Sequence, residues 1–313
     1  MKRLLAATDL SAPSRHAVDR AYRLANELGC PLTLAHAIAP GMFDGLQALL
    51  GADAPSLDQS LIAEAEARLN ALNFDPYRNH GIRADCAVLS GRPIDAIARH
   101  ADEIAADLLV LGAHGEGFLR QLTVGSTASR LLRKTRHPVL VVKQPPHEGY
   151  RRALVAIDFS PAALAALRLA RQLAPAASLT LVHAVELPFE GKMQYANVDP
   201  GIIQQYRIQA QLAGMQKLRE LARAEALPDA GTQLLALHGE AARLIVEQEQ
   251  EQDSDLIVIG KRGLHFVEEL LLGSTTTHVL TEAQADVLVA SAADEPAADA
   301  EGTALPGIAC RPR

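Results

Sequence analysis

Two glycine clusters with one spacing are the residues of this chain best suited to chemistry. The first reads Gly112-Ala113-His114-Gly115, then nine residues, then Gly125-Ser126-Thr127. The second reads Gly260-Lys261-Arg262-Gly263, nine residues, then Gly273-Ser274-Thr275. Glycines let main-chain N–H groups turn toward an anion and approach it closely. Ser126 and Ser274 stand where a helix is expected to begin, so free N–H donors and partial positive charge collect there. The serine hydroxyls can donate as well. That chemistry is phosphate binding. The competing reading is plain turns with N-capping serines, and identical spacing in two places weighs against it.

Other polar candidates occur in pairs. Asp9 and Asp158 each follow an apolar run and suit either a helix-start turn or a ligand contact. His36 and His183 end the next apolar run, where a buried histidine bonded to main chain is favoured over catalysis. His114 in the first loop corresponds to Arg262 in the second. Both can donate to phosphate, but only histidine is a base near neutral pH, so the swap argues for binding over shared acid–base chemistry. Lys261 adds charge to the second loop. Either it tightens phosphate binding there or it is simply solvated.

The pairs belong to a duplication. LLAATDLSAP at 4–13 matches ALVAIDFSPA at 153–162, and LTLAHA at 32–37 matches LTLVHA at 179–184. DLLVLGAHG at 107–115 matches DLIVIGKRG at 255–263, and PVLVVK at 138–143 matches DVLVAS at 286–291. The pattern predicts domains at 1–144 and 151–291, a Pro- and Gly-bearing linker at 145–150, and a disordered tail at 292–313.

Within a copy, short apolar runs alternate with helical periodicity. Leu4 to Thr8 predicts a buried strand, Ser11 an N-cap and Gly29 a helix end. Residues 58–72 predict a helix with Ile62, Ala65 and Leu69 on one face. Pro93 opens another, and residues 126–135 a third. Such alternation predicts, in each copy, an open parallel five-stranded sheet with helices on both faces. Ligands bind such sheets beyond the strands' C-terminal ends, where strand order reverses. The final strands, PVLVVK and DVLVAS, are apolar enough to seek a partner edge.

Composition excludes other classes. The 313 residues carry a net charge of -7 without a basic cluster, which argues against nucleic acid and anionic membrane as partners. Three scattered cysteines suggest reduced thiols, and the N-terminal apolar run is too short for a signal peptide, so a cytoplasmic protein is expected. The Walker glycine loop, the G-x-S-x-G elbow, the H-E-x-x-H motif and zinc spacing are all missing. Gly115-Glu116-Gly117 lacks the third glycine of a dinucleotide fingerprint. A non-enzymatic binder is expected, with no catalytic residues.

The G-x2-G-x9-G-[ST] pattern after the fourth strand, with D-x-S after the first, resembles the universal stress protein family. The resemblance covers residues 1–291 in two copies and is nearest the tandem bacterial type. It implies a Rossmann-like fold of the adenine-nucleotide α-hydrolase kind and a stress-response sensor or regulator. Members with these glycines generally bind ATP. Carried over by position, the phosphate loops fall on Gly112 to Gly115 with Gly125, Ser126 and Thr127, and on Gly260 to Gly263 with Gly273, Ser274 and Thr275. Asp9 and Asp158 fall at the ribose or metal side, with Mg²⁺ or Mn²⁺ accompanying the phosphates. Main-chain contacts to adenine fall at Ala37 and Ala184. The resemblance also implies pairing of the two copies through their last strands, a further homodimer, and an unidentified protein partner. A slow ATPase with Asp9 or Asp158 holding metal, or an interaction module stabilised by nucleotide, are the alternatives.

Overall fold

The structure is a computed structural model. It describes residues 1–39, 54–115, 125–187, 190–261 and 272–291, with backbone only at 54–59, 126 and 194. The expected tail at 292–313 lies outside the described residues.

The first half runs β1 (Leu4–Ala7), α1 (Arg15–Leu28), β2 (Leu32–Ile38), α2 (Ala54–Leu72) and β3 (Asp85–Ser90). It continues with α3 (Pro93–Glu103), β4 (Leu108–Gly112), α4 (Ser126–Lys134) and β5 (Val139–Val142). The second half runs β6 (Arg152–Ala156), α5 (Pro161–Leu173), β7 (Ser178–Val185), α6 (Glu190–Tyr195) and α7 (Pro200–Ala224). It ends with β8 (Thr232–His238), α8 (Ala241–Glu251), β9 (Leu256–Gly260), α9 (Ser274–Glu282) and β10 (Asp286–Ala290).

The sheet order is β3-β2-β1-β4-β5-β10-β9-β6-β7-β8. Strands are parallel within each half. The two five-stranded sheets do not stay separate. β5 and β10 pair antiparallel, with Leu140 opposite Leu288, and fuse them into one ten-stranded sheet. The reason is local. Both strands are fully buried around a Val-Leu-Val centre, and each would otherwise present an unpaired edge. The pairing runs antiparallel because the halves meet about a pseudo-two-fold axis.

Alternation along the strands splits the core into two layers. Leu4, Ala6, Leu140 and Leu288 join one layer, and Leu5, Ala7, Val139 and Val287 the other. Each layer crosses the seam between the halves.

Local expectations hold with two corrections. Gly29 ends α1 in the left-handed region, φ 61°, with its N–H on the Ala25 carbonyl. Ser11 is not the N-cap of α1. A turn intervenes, Ser14 takes the cap position, and Ser11 Oγ accepts from Ser14 N–H across that turn. Its counterpart Ser160 does cap α5, accepting from Ala163 N–H, because Pro161 starts that helix at once. In α2, Ala65 and Leu69 are buried, but Ile62 is 42% exposed, so the inward stripe is narrower than the periodicity predicts.

Candidate functional site

In the order β3-β2-β1-β4-β5, chain connections leave β1 and β4 in opposite directions. The crevice at their C-terminal ends receives Thr8 and Asp9 from the end of β1, and Gly112 to Gly115 from the end of β4. A cleft of about 440 Å³ lies there. Asp9, Ala37, Gly112, His114, Gly115, Gly125 and Thr127 all line it. Of the first-half candidates, Ser126 alone cannot be placed against the cleft by its side chain, since only its backbone is described. Thr8, Ser14 and His36 also line it, and its apolar face is built by Ala7, Pro93, Ile97, Leu111 and Ala128.

The aspartates are held as turn residues. Asp9 Oδ1 accepts from Ser11 N–H at 3.0 Å, and Asp158 Oδ1 accepts from Ser160 N–H at 2.9 Å. Between them the chain takes an unusual step. Leu10 has φ 63° and Phe159 φ 62°, the left-handed region that costs an ordinary side chain roughly 1–2 kcal/mol. In the first half the turn is stabilised by Thr8, whose Oγ1 accepts Leu10 N–H at 3.0 Å and meets Ser14 Oγ at 2.8 Å.

The histidines take the bonded structural role. His36 Nδ1 donates to the Thr8 carbonyl at 2.9 Å and His183 Nδ1 to that of Ile157 at 2.8 Å. Each ties the second strand of its half to the turn after the first. The His183 ring also packs 4.5 Å from Phe159, and burial lowers its pKa.

Several of the glycines are also required by close packing within the protein. Gly125 and Gly273 have φ −55° and −61°, open to any residue. Their N–H groups donate to the carbonyls of Ala113 and Lys261. Close approach of neighbouring groups leaves no room for a side chain at four of the glycines. A Cβ on Gly115 would lie 2.4 Å from Asp9 Oδ2, and one on Gly125 would lie 3.2 Å from the Ala113 carbonyl. A Cβ on Gly112 would meet Ser14 Cα at 3.3 Å, and one on Gly260 would meet Ala162 Cβ at 3.0 Å.

In the second half, Asp158, Ala184, Gly260, Gly273, Ser274 and Thr275 occupy the equivalent strand ends and helix start. Arg262 and Gly263 lie outside the described residues. Lys261 corrects both readings offered for it. It is 5% exposed, so it is not solvated. Its Nζ donates to the carbonyls of Thr135 at 2.9 Å and Arg133 at 3.2 Å, at the end of α4 in the other half.

Sequence reasoning missed Thr8, Ser14, Pro93 and Ile97 as cleft residues. Thr8 corresponds to Ile157 and Ser14 to Ala163, so the repeat gave no paired polar signal. Among the described residues, no helix is long and apolar enough to cross a membrane.

Known proteins share this fold. The sequence profile of the universal stress protein family matches residues 1–143 and 149–291. Universal stress protein Slr1230 of Synechocystis is 41% identical over 63 residues, covering 20% of this chain and 22% of that protein. Universal stress protein Rv2005c of Mycobacterium tuberculosis is 29% identical over 213 residues, 63% of this chain and 65% of that one. The chain thus matches less than two thirds of either relative's length. The crystal structure of a universal stress protein from Archaeoglobus fulgidus superimposes over 93% of this chain and 98% of its own, with TM-score 0.63 at 19% identity. At that identity the likeness is one of fold. Both glycine clusters fall inside the matched stretches, and the chain belongs to the universal stress protein family, as a tandem of two such domains.

Proposed function

We propose that this protein binds ATP at the C-terminal edge of its sheet and serves as a stress-response sensor or regulator. One observation carries the reading. Asp9, Ala37, the Gly112–Gly115 loop, Gly125 and Thr127, singled out by their pattern and the family resemblance, converge on one cleft. Its 440 Å³ falls within the range of small-ligand sites. The start of α4 offers N–H donors to phosphate, and the apolar wall suits a purine face. The second half repeats the same elements, which supports a second site at Asp158, Ala184, Gly260 to Gly263 and Gly273 to Thr275.

Mg²⁺ or Mn²⁺ fits as a companion of the phosphates. Among the described residues no three His, Cys, Asp or Glu side chains converge on a point. Asp9 and Asp158 would then be the protein's share of the coordination. Binding is favoured over turnover because the paired polar groups are committed to holding the turn: Asp9 Oδ1 to Ser11 and His36 Nδ1 to Thr8.

The test is mass spectrometry of small molecules released from the purified protein, with calorimetric titration of ATP, ADP and AMP. ATP is expected to co-purify or to bind with the highest affinity. Nucleotide-free protein that gives no heat with ATP overturns the reading.

A further inference from the structure

Lys261 holds the start of α9 by its backbone and reaches the other half by its side chain. Its carbonyl accepts from Gly273 N–H at 3.2 Å, and Gly273 caps the start of α9. Its Nζ holds the Thr135 and Arg133 carbonyls at the end of α4. Lys143 makes the reciprocal link. It follows Val142, whose carbonyl accepts Ala113 N–H from the first glycine loop at 2.8 Å. The Lys143 ammonium donates to the Ala283 carbonyl, at the C-cap of α9. Thr135 and Ala283 are equivalent positions of the repeat. Each helix that opens on a glycine–Ser/Thr corner therefore ends on an ammonium supplied by the opposite half. A cation at a helix C-terminus is favourable, and burial ties its geometry.

We propose that Lys143 and Lys261 are positioning residues that couple the two glycine-loop sites, so that nucleotide in one half changes affinity in the other. The proposal rests on the nucleotide reading of those sites. A ligand drawn to the start of α9 pulls on Gly273 and thus on the Lys261 carbonyl. The ammonium passes that shift to α4, whose first turn borders the first cleft. Packed helices shift as units, so a small displacement at one end reaches the other.

The test compares the full wild-type chain with Lys261→Met and Lys261→Arg. ATP titration of the wild type is expected to show two interacting sites. Lys261→Met should give independent sites with first-site affinity weakened about threefold or more. Lys261→Arg should restore the interaction by returning the charge. Hydrogen exchange supplies a readout without ligand: Lys261→Met should speed exchange throughout α4, including its first turn. Folded Lys261→Met with an unchanged isotherm, or with unchanged α4 exchange, overturns the coupling, even if its melting temperature falls. Wild-type protein that binds no ATP defeats the nucleotide reading and the site coupling with it, while the exchange arm still decides the mechanical link. If Lys261→Met does not fold, Lys143→Met carries the same measurements for α9.

Discussion

At the residue scale, glycine serves this site by letting groups approach, and that makes its glycines separable by experiment. Gly115→Ala would drive a methyl against the Asp9 carboxylate. Calorimetry should show first-site ATP affinity reduced about tenfold. Stability should change by no more than about 0.5 kcal/mol, because the loop is only partly buried. Adding Asp9→Ala should remove the clash without restoring affinity. Gly260→Ala should behave oppositely. Its new Cβ meets Ala162 Cβ and the backbone of Ala162 and Ala163, all fixed at the start of α5. Urea denaturation should show a loss of about 1–3 kcal/mol. The spacing of these glycines was legible in the sequence, as were Asp9 and Asp158. Where the neighbouring side chains go was not. Lys261 sits in a phosphate-loop pattern, yet its side chain crosses the seam to the Thr135 and Arg133 carbonyls.

At the element scale, the seam depends on a buried charge that no repeat could announce. Asp286, the first residue of β10, is 1% exposed. It accepts from Tyr150 Oη at 2.6 Å, from Lys143 N–H at 2.7 Å and from Gln144 N–H at 3.2 Å, and pairs with Arg20 Nε at 3.2 Å. Arg20 also stacks 4.1 Å over the Tyr150 ring and donates to the Glu148 carbonyl. One carboxylate thus straps the connecting segment and α1 to the second half. Strand and helix order was readable from apolar periodicity. This strap was not, because Pro138 stands at the equivalent position of the first copy and Leu169 replaces Arg20. Asp286→Ala leaves Arg20 buried without its partner, and should cost about 3–5 kcal/mol in chemical denaturation. Lys143 adds a pH signature. Burial lowers its pKa from the usual 10.5 to about 8. Between those values the unfolded chain binds more protons than the folded one, so stability rises with pH across that window. Below about pH 8 both forms are charged and the slope vanishes. Melts of wild type and Lys143→Met across pH 7 to about 10.5 should differ by that rise.

At the scale of the molecule, fusing two domains replaces an exchangeable interface with a built-in one, and the seam's asymmetry says why the arrangement is worth keeping in one chain. A first half alone, residues 1–150, would expose the Val139–Val142 edge that β10 now covers. Such an edge seeks a second copy, and antiparallel pairing of β5 with β5 would restore the register centred on Leu140. That homodimer would present Pro138 where the intact chain has Asp286. Arg20, Tyr150 and the Lys143 N–H would lose their shared acceptor. Sedimentation should therefore show the isolated half associating as a dimer, weak enough to dissociate on dilution, while its melting temperature falls below that of the intact chain. Introducing Pro138→Asp into the half-chain should strengthen the dimer by supplying the missing carboxylate. A monomeric half that melts with the intact chain, or a dimer indifferent to Pro138→Asp, would show that the seam contributes only apolar burial and that the carboxylate strap does not hold the halves together.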